Sequence, residues 1–461
     1  KGGYTGKLND RCITLAEVLK AEGFTTAIRG KWHLTPSNRV PDDAWPTNRG
    51  FDTFWGTMTG CGTYYQPGTL TRGTENIDHE ADREGFFYTD VIADQSVDFL
   101  KSHKSESPDK PYFLYVPFTA PHWPLHAREA TIKEYDGVYE AGWDKLRETR
   151  LKRQKELGLL PEYLELSPRD EGVPSWENEA HKEWQVRCMQ VYAAMVTEMD
   201  RAIGQILEQI RANGDWEDTV ILFMSDNGAS ADPMPLTELQ YWRQRTDILR
   251  HKTKDGRDVR IGNDPLTMPG GEDTYLSYGR GWANLSNTPF KLFKLWTHEG
   301  GVATPFIAHW PQGNLRTGEI FEQPFQLTDV MPTLLELLGA QYPSNRAGIP
   351  LPPLAGQSMF GTWKGADVAN PTLWWEHCGN AAIRSGKWKL VRQYDCPWEL
   401  YEIDTDRSER TDLSAKHPDV VQELAAKWEA IAKQNGVIPF RQIMDIYYNK
   451  NLVMNAHLAI Q

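Results

Sequence analysis

The sequence predicts an α/β fold: a largely parallel central sheet sandwiched by helices over residues 1–340, then a small α+β subdomain. Three observations carry this. Short apolar runs, Val220–Met224 and Pro111–Phe118, suit strands buried on both faces, and Phe24–Ile28 and Thr304–Trp310 read as further strands. Such strands usually lie in parallel sheets under helices. Between them runs a stretch of helical period, with Tyr192, Ala193, Val196, Met199, Ile203, Ile206 and Ile210 on one face and Asn213-Gly214 at its end. Finally, polar residues cluster directly after several of these runs, where ligands sit in open α/β sheets.

Composition narrows the function. With 461 residues the chain can hold one large core and a smaller appended unit. Its 40% hydrophobic and 25% charged content is that of a globular protein. A net charge of −13, with no basic stripe, argues against a nucleic-acid partner. No apolar run is long enough to cross a bilayer, so no membrane partner is expected. The five cysteines are scattered and odd in number, which excludes a full disulfide framework.

In chain order, Thr14-Leu-Ala-Glu17 fits a capping box that opens a short helix stopped at Gly23. The Phe24–Ile28 strand leads into Lys31 and His33, which in an extended segment would face one side and one anion; taken alone, a Lys and a His in a loop are more often solvated surface. Gly50–Asp90 reads as loop with short strands, Ile92–Lys101 as helix and Ser102–Lys110 as linker. The Pro111–Phe118 strand runs into Thr119-Ala-Pro-His122, where flanking prolines restrict a histidine suited to proton transfer; a structural role fits it as well. Thr131–Trp184 is charged, broken by prolines, and reads as a solvated insertion. After Val220–Met224 come Asp226 and Asn227, hard oxygen donors that could bind Ca²⁺ or Mg²⁺ or simply shape a turn before Gly228. Ala231–Trp282 has the character of active-site loops. Lys291 reads as a snorkelling surface lysine. Leu327–Leu338 is helical, and the Pro/Gly-rich stretch 341–372 is a linker. From 373 to 461, strands near Trp388–Val391 and Trp398–Tyr401 and a helix from Pro418 to Gly436 make the C-terminal unit.

Four blocks resemble, in order, those of the type I sulfatases of the alkaline phosphatase-like superfamily, the arylsulfatases most of all. They are Gly30-Lys-Trp-His-Leu34, Ala120-Pro-His-Trp-Pro-Leu-His126, Ser225-Asp-Asn-Gly228, and Asn287-Thr-Pro-Phe-Lys-Leu-Phe-Lys294 with His298-Glu-Gly-Gly301. Ile383–Leu390 and Trp398–Tyr401 resemble the family's C-terminal subdomain. The resemblance implies hydrolysis of an aryl or carbohydrate sulfate ester by a formylglycine-type mechanism, in a periplasmic or secreted protein. It makes Asp226 and Asn227 half of the expected Ca²⁺ ligand set. Lys31 and Lys294 become sulfate-binding lysines, His33 the contact to the nucleophile and His122 the group near the leaving oxygen. Two cations and a metal would oppose the charge of the transferring sulfuryl group.

One element of the family pattern is absent. No Cys or Ser here opens a Cys/Ser-x-Pro-x-Arg motif after an Asp-Asp pair; Thr35-Pro-Ser-Asn-Arg39 has Leu34 at the nucleophile position and Asn38 for the arginine. The sequence is therefore expected to lack the family's N-terminal segment, with the nucleophile, two metal ligands and an interior strand. Two rival functions follow: a phosphomonoester or phosphonate ester hydrolase of the same superfamily, or a non-catalytic sulfated-glycan-binding homologue.

Overall fold

The first helix, Leu15–Ala21, is capped as expected: Thr14 Oγ1 accepts from the Glu17 N–H at 3.1 Å, and the Glu17 carboxylate accepts from the Thr14 N–H at 2.8 Å. It delivers the chain to β1 (Thr25–Arg29), the pivot of a computed structural model that describes residues 6–366, 368 and 370–449. The Lys1–Thr5 opening and the residues after Asn449, which the sequence assigned to the C-terminal unit, lie outside the described residues.

Strands β2 (Thr53–Thr57), β3 (Leu70–Arg72), β4 (Glu75–Asn76) and β5 (Tyr112–Tyr115) join β1 in one sheet of order β4-β3-β2-β1-β5. β1 runs parallel to β2 and β5, while the β2–β3 and β3–β4 pairs are antiparallel. The sheet is thus mixed. β1 is buried on both faces. Ala27 packs with Ala93, Phe99 and Leu100 of the Tyr88–Glu106 helix and Ala202, Ile206 and Ile210 of the Lys182–Ala212 helix. Ile28 faces the other layer, with Ala16, Trp32, Trp45, Phe51 and Phe54.

Strand β6 (Ile221–Met224) departs from expectation. Beyond it come β7 (Arg260–Ile261), β8 (Thr274–Tyr275) and β9 (Phe306–His309), and β6 pairs antiparallel with β9 in a two-stranded sheet of their own. Neither is enclosed on both faces, since Phe223 is 37% and Ile307 57% exposed. An apolar run records a preference for burial but not the partner or its direction.

Two further readings change. The Tyr88–Glu106 helix extends into the stretch read as linker, because His103 stacks on Phe99, meets Tyr112 edge-on, and places Nε2 2.7 Å from Lys110 O. The Thr131–Trp184 insertion is more than a solvated surface. Its Trp143 is buried against Trp176 and Trp282, with ring centroids 4.7 and 5.4 Å away, and Arg147 donates to Ser167. On the Lys182–Ala212 helix, Val196 faces solvent instead of the core.

The linker region carries a small hairpin, β10 (Asn345–Arg346) and β11 (Ile349–Pro350), and a short helix, Phe360–Trp363. The C-terminal unit is an antiparallel meander of β12 (Leu373–His377), β13 (Asn380–Ser385), β14 (Trp388–Arg392) and β15 (Glu399–Glu402). The Pro418–Gln434 helix closes it, packing Leu424, Trp428 and Ala432 on Ala381, Ile383, Leu390 and Leu400.

Candidate active site

The segment Gly30–His33 threads between the ends of β2 and β5. Gly30, Trp32 and His33 donate their N–H groups to Trp55, Thr57 and Met58 carbonyls at 2.9, 2.9 and 3.1 Å, whereas Lys31 donates to Pro117 at 2.9 Å. The crossing needs glycine: a Cβ on Gly56 would lie 1.7 Å from Gly30 O. His33 has φ 60, so the extended i, i+2 geometry does not hold across this pair. Its ring instead lies against Gly60, where a Cβ would come within 2.2 Å of Nδ1.

His122 follows the end of β5. Its Nδ1 is 2.8 Å from Trp123 O, an acceptor, so Nδ1 carries the proton and Nε2 is left as a base. Tyr64 OH donates to His122 O at 2.8 Å, fixing the backbone there. His126, in the same block, is structural: fully buried, with Nε2 2.6 Å from Thr274 O and Nδ1 accepting from the Tyr64 N–H.

The third and fourth blocks form one unit. Gly228 N–H donates to Gly301 O at 3.1 Å and Lys294 N–H to Ala229 O at 2.9 Å. The side chain of Asn287, which sequence reasoning did not single out, clamps them. Its Nδ2 donates to Leu292 O and Gly300 O, each at 2.8 Å, and its Oδ1 accepts from the Ala229 N–H at 2.9 Å. Its place at the head of the fourth block was the available signal. Lys291 is not a surface lysine: it donates to Glu399 at 2.8 Å and to Tyr401 OH at 3.3 Å.

Electrostatics bring the blocks together. Burial lowers the Lys31 pKa; Asp226 opposes that shift and Lys294 adds to it. Desolvation and the cations Lys31, Lys294 and Arg245 lower that of His33. Burial, with Lys294 and Lys31, pushes His122 down to about 3. Both imidazoles are therefore neutral at pH 7, in a positive field suited to an anion. Arg245 is a second residue that sequence reasoning missed. It comes from the long loop region, is held by Asp247 through two 2.9 Å contacts, and sits near Trp242, whose ring meets Trp123 at 5.5 Å. A cavity of about 590 Å³ lined by Gln66, Asp82, Arg250 and Lys252 lies in the same region but holds none of the six candidate residues.

Asp226 and Asn227 offer a carboxylate and a carboxamide. Asn227 Nδ2 donates to Gly228 O at 2.8 Å, which leaves Oδ1 as the available donor atom toward a cation. Their chemistry fits a hard ion, but Ca²⁺ takes about six to eight oxygens. Among the described residues no group of three or more His, Cys, Asp or Glu side chains converges.

The Sulfatase family model matches residues 2–340, nearly three-quarters of the chain. The chain belongs to the sulfatase family. A second family model, the C-terminal part of N-sulphoglucosamine sulphohydrolase, matches residues 290–434. An uncharacterised sulfatase of Schizosaccharomyces pombe is 32% identical over 95% of this chain and 80% of its own length. The arylsulfatase of Klebsiella aerogenes is 31% identical over 78% of this chain and 75% of its own. Among solved structures, Ps i-CgsB with k-i-k-neocarrahexaose superposes with TM-score 0.60 at 21% identity, covering 98% of this chain and 85% of that one. A protein bound to its substrate D-glucosamine-2-N,6-O-disulfate gives 0.61 at 18%, covering 95% and 85%. A phosphonate monoester hydrolase gives 0.54 at 16%, a likeness of fold alone. This sulfatase is a hydrolase of sulfuric esters, and among the described residues no helix is long and apolar enough to cross a membrane.

Proposed function

We propose that sulfate esters bind at the strand-end cluster of Lys31, His33, His122, Asp226, Asn227 and Lys294, and that the substrate is an aryl or carbohydrate sulfate. What supports this is the way backbone bonds draw the blocks together, Lys31 N–H on Pro117 O ahead of His122 and Lys294 N–H on Ala229 O beside the Asp226–Asn227 loop, with Asp226 and Lys294 both acting electrostatically on Lys31. Hydrolysis breaks the S–O bond to the alcohol; water supplies a hydroxyl to sulfur and a proton to the departing oxygen. Lys31 and Lys294 oppose the charge on the sulfuryl oxygens, which strengthens toward the transition state. With Nδ1 committed to Trp123 O, His122 Nε2 is the ring atom that would take a proton from water and pass it to the leaving oxygen. His33 would contact the nucleophile. The family's formylglycine has no counterpart motif in these 461 residues, so the chemistry assigned here is that of binding and proton handling. Asp226 and Asn227 would supply two oxygens to Ca²⁺, too few alone to complete its shell.

Neighbours support a glycan as readily as an aryl substrate: an N-acetylgalactosamine-6-O-sulfatase of Bacteroides thetaiotaomicron and an ulvan-active sulfatase of Formosa agariphila are among the relatives. A periplasmic or secreted location fits the family resemblance. The test is turnover of nitrophenyl sulfate by the active enzyme carrying Lys294→Ala. A loss of about 10²–10³ in kcat is expected, and undiminished turnover would overturn the assignment.

A further inference from the structure

Lys294 sits in a segment whose other side chains are committed elsewhere. Residues on both flanks reach across to the C-terminal meander. Lys291 Nζ donates to Glu399 of β15 at 2.8 Å, and Tyr401 OH donates to the same carboxylate. Leu295 O accepts from Asn380 Nδ2 at 3.3 Å, and Trp296 Nε1 donates to Gln393 at 3.1 Å. His298, fully buried, places Nε2 3.5 Å from Glu399, beyond good hydrogen-bond length. Glu299 meets Lys389 of β14 at 2.8 Å; Lys389 also meets Glu409 at 2.8 Å, and Glu409 accepts from the Glu299 N–H at 2.9 Å. Arg407 lies 3.4 Å from Glu299 and completes a balanced set of two anions and two cations.

This network is costly to maintain. Lys389 is fully buried and Glu409 nearly so, and buried ion pairs commonly do no better for stability than apolar residues of the same size. What charged contacts add is a single geometry, because each partner has few alternatives once desolvated. The segment they grip carries the lysine assigned to the sulfuryl group. Its other border is already tied, through Asn287 and Lys294 N–H, to the Asp226–Asn227 loop. A single family model also runs from residue 290 to 434, across the segment and the meander together.

We propose that Lys389, Glu399 and Glu409 are positioning residues for Lys294, so that the C-terminal subdomain is a working part of the active site. The inference rests on the sulfate-binding role of Lys294. Its test is a double-mutant cycle in the active enzyme: Lys389→Met, Lys294→Ala and both, assayed for nitrophenyl sulfate turnover and for inhibition by inorganic sulfate. A displacement near 1 Å can cost about 10²-fold in rate. The expected result is a loss of at least about tenfold in kcat and weaker sulfate inhibition for Lys389→Met, with little further loss when Lys294 is already alanine. Glu399→Gln, isosteric and less disruptive, should act in the same direction and serves if Lys389→Met does not fold. Leu424→Ala loosens the same subdomain away from the junction and should lower the melting temperature with kcat and sulfate inhibition unchanged. Full activity in a folded Lys389→Met or Glu399→Gln enzyme, losses additive with Lys294→Ala, or an equal loss in Leu424→Ala would overturn the proposal. Unaltered turnover in Lys294→Ala alone would instead refute the underlying assignment.

Discussion

Substituting Gly228 by alanine tests whether the Asp226–Asn227 loop and the Lys294 segment work at a fixed separation. A Cβ built on Gly228 would lie 1.7 Å from the carbonyl oxygen of Gly300. Real Cβ contacts essentially never fall below 3.0 Å, so the two backbones must part by 3.0 minus 1.7, or 1.3 Å. The obstacle is backbone held by its own bonds: Gly300 O accepts from Asn287 Nδ2, and Gly300 N–H donates to Lys291 O at 2.9 Å. Neither can swing aside as a side chain would. The Gly228 N–H bond to Gly301 O, now 3.1 Å, would stretch beyond useful length. Loss of one buried hydrogen bond costs about 1–3 kcal/mol, a fraction of a net stability of about 5–15 kcal/mol, so the fold should survive. The catalytic cost should be larger in proportion, because a shift of this size in catalytic geometry lowers rates about 10²-fold. The assay pairs nitrophenyl sulfate turnover with thermal melting of the same preparation. A Gly228→Ala enzyme that melts cooperatively and turns over at the parental rate would refute the claim that these loops must sit at contact distance.

Other outcomes are expected on the same grounds. Gly204→Ala, inside the Lys182–Ala212 helix with nothing within 4 Å of the new methyl, should raise stability by about 0.5–1 kcal/mol in thermal or denaturant unfolding and leave turnover alone. Trp143→Ala should cost about 3–5 kcal/mol, since it empties the buried cluster with Trp176 and Trp282. His122→Ala should slow hydrolysis of a carbohydrate sulfate far more than that of nitrophenyl sulfate, whose leaving group needs little protonation; equal losses would count against proton transfer by His122. Stability should fall at both pH extremes. Burial raises the Glu299 pKa, but Lys389 and Arg407 outweigh it and hold the group below its ordinary 4.5, so its contribution is present above 4.5 and lost as acid titrates it. Burial lowers the Lys389 pKa, but Glu299 and Glu409 hold it above 10.5, so that contribution is complete below 10.5 and lost in stronger alkali. In Lys389→Met the alkaline fall in melting temperature should disappear and the acid fall should weaken or reverse, since burial of Glu299 is then opposed mainly by Arg407.

Much of this molecule is legible in its sequence because the signals are local. The Thr14–Glu17 capping box, the β1 run that buries Ala27 and Ile28 on opposite faces, and the Pro418 helix start each depend on a few consecutive residues. So does the placement of Lys31, His122, Asp226 and Lys294 in loops adjoining apolar runs. Tertiary structure decided what local composition cannot carry. Val220–Met224 recorded a preference for burial, yet its antiparallel pairing with β9 and its half-exposed faces depend on which strand comes alongside. Lys291 looks like any surface lysine until Glu399, more than a hundred residues on, supplies a partner. Asn287 and Gly228 look like turn residues until the close approach of two loops makes one a clamp and the other a steric necessity. Hydrogen-bond and charge partners distant in sequence leave no periodicity behind; only the folded chain pairs them.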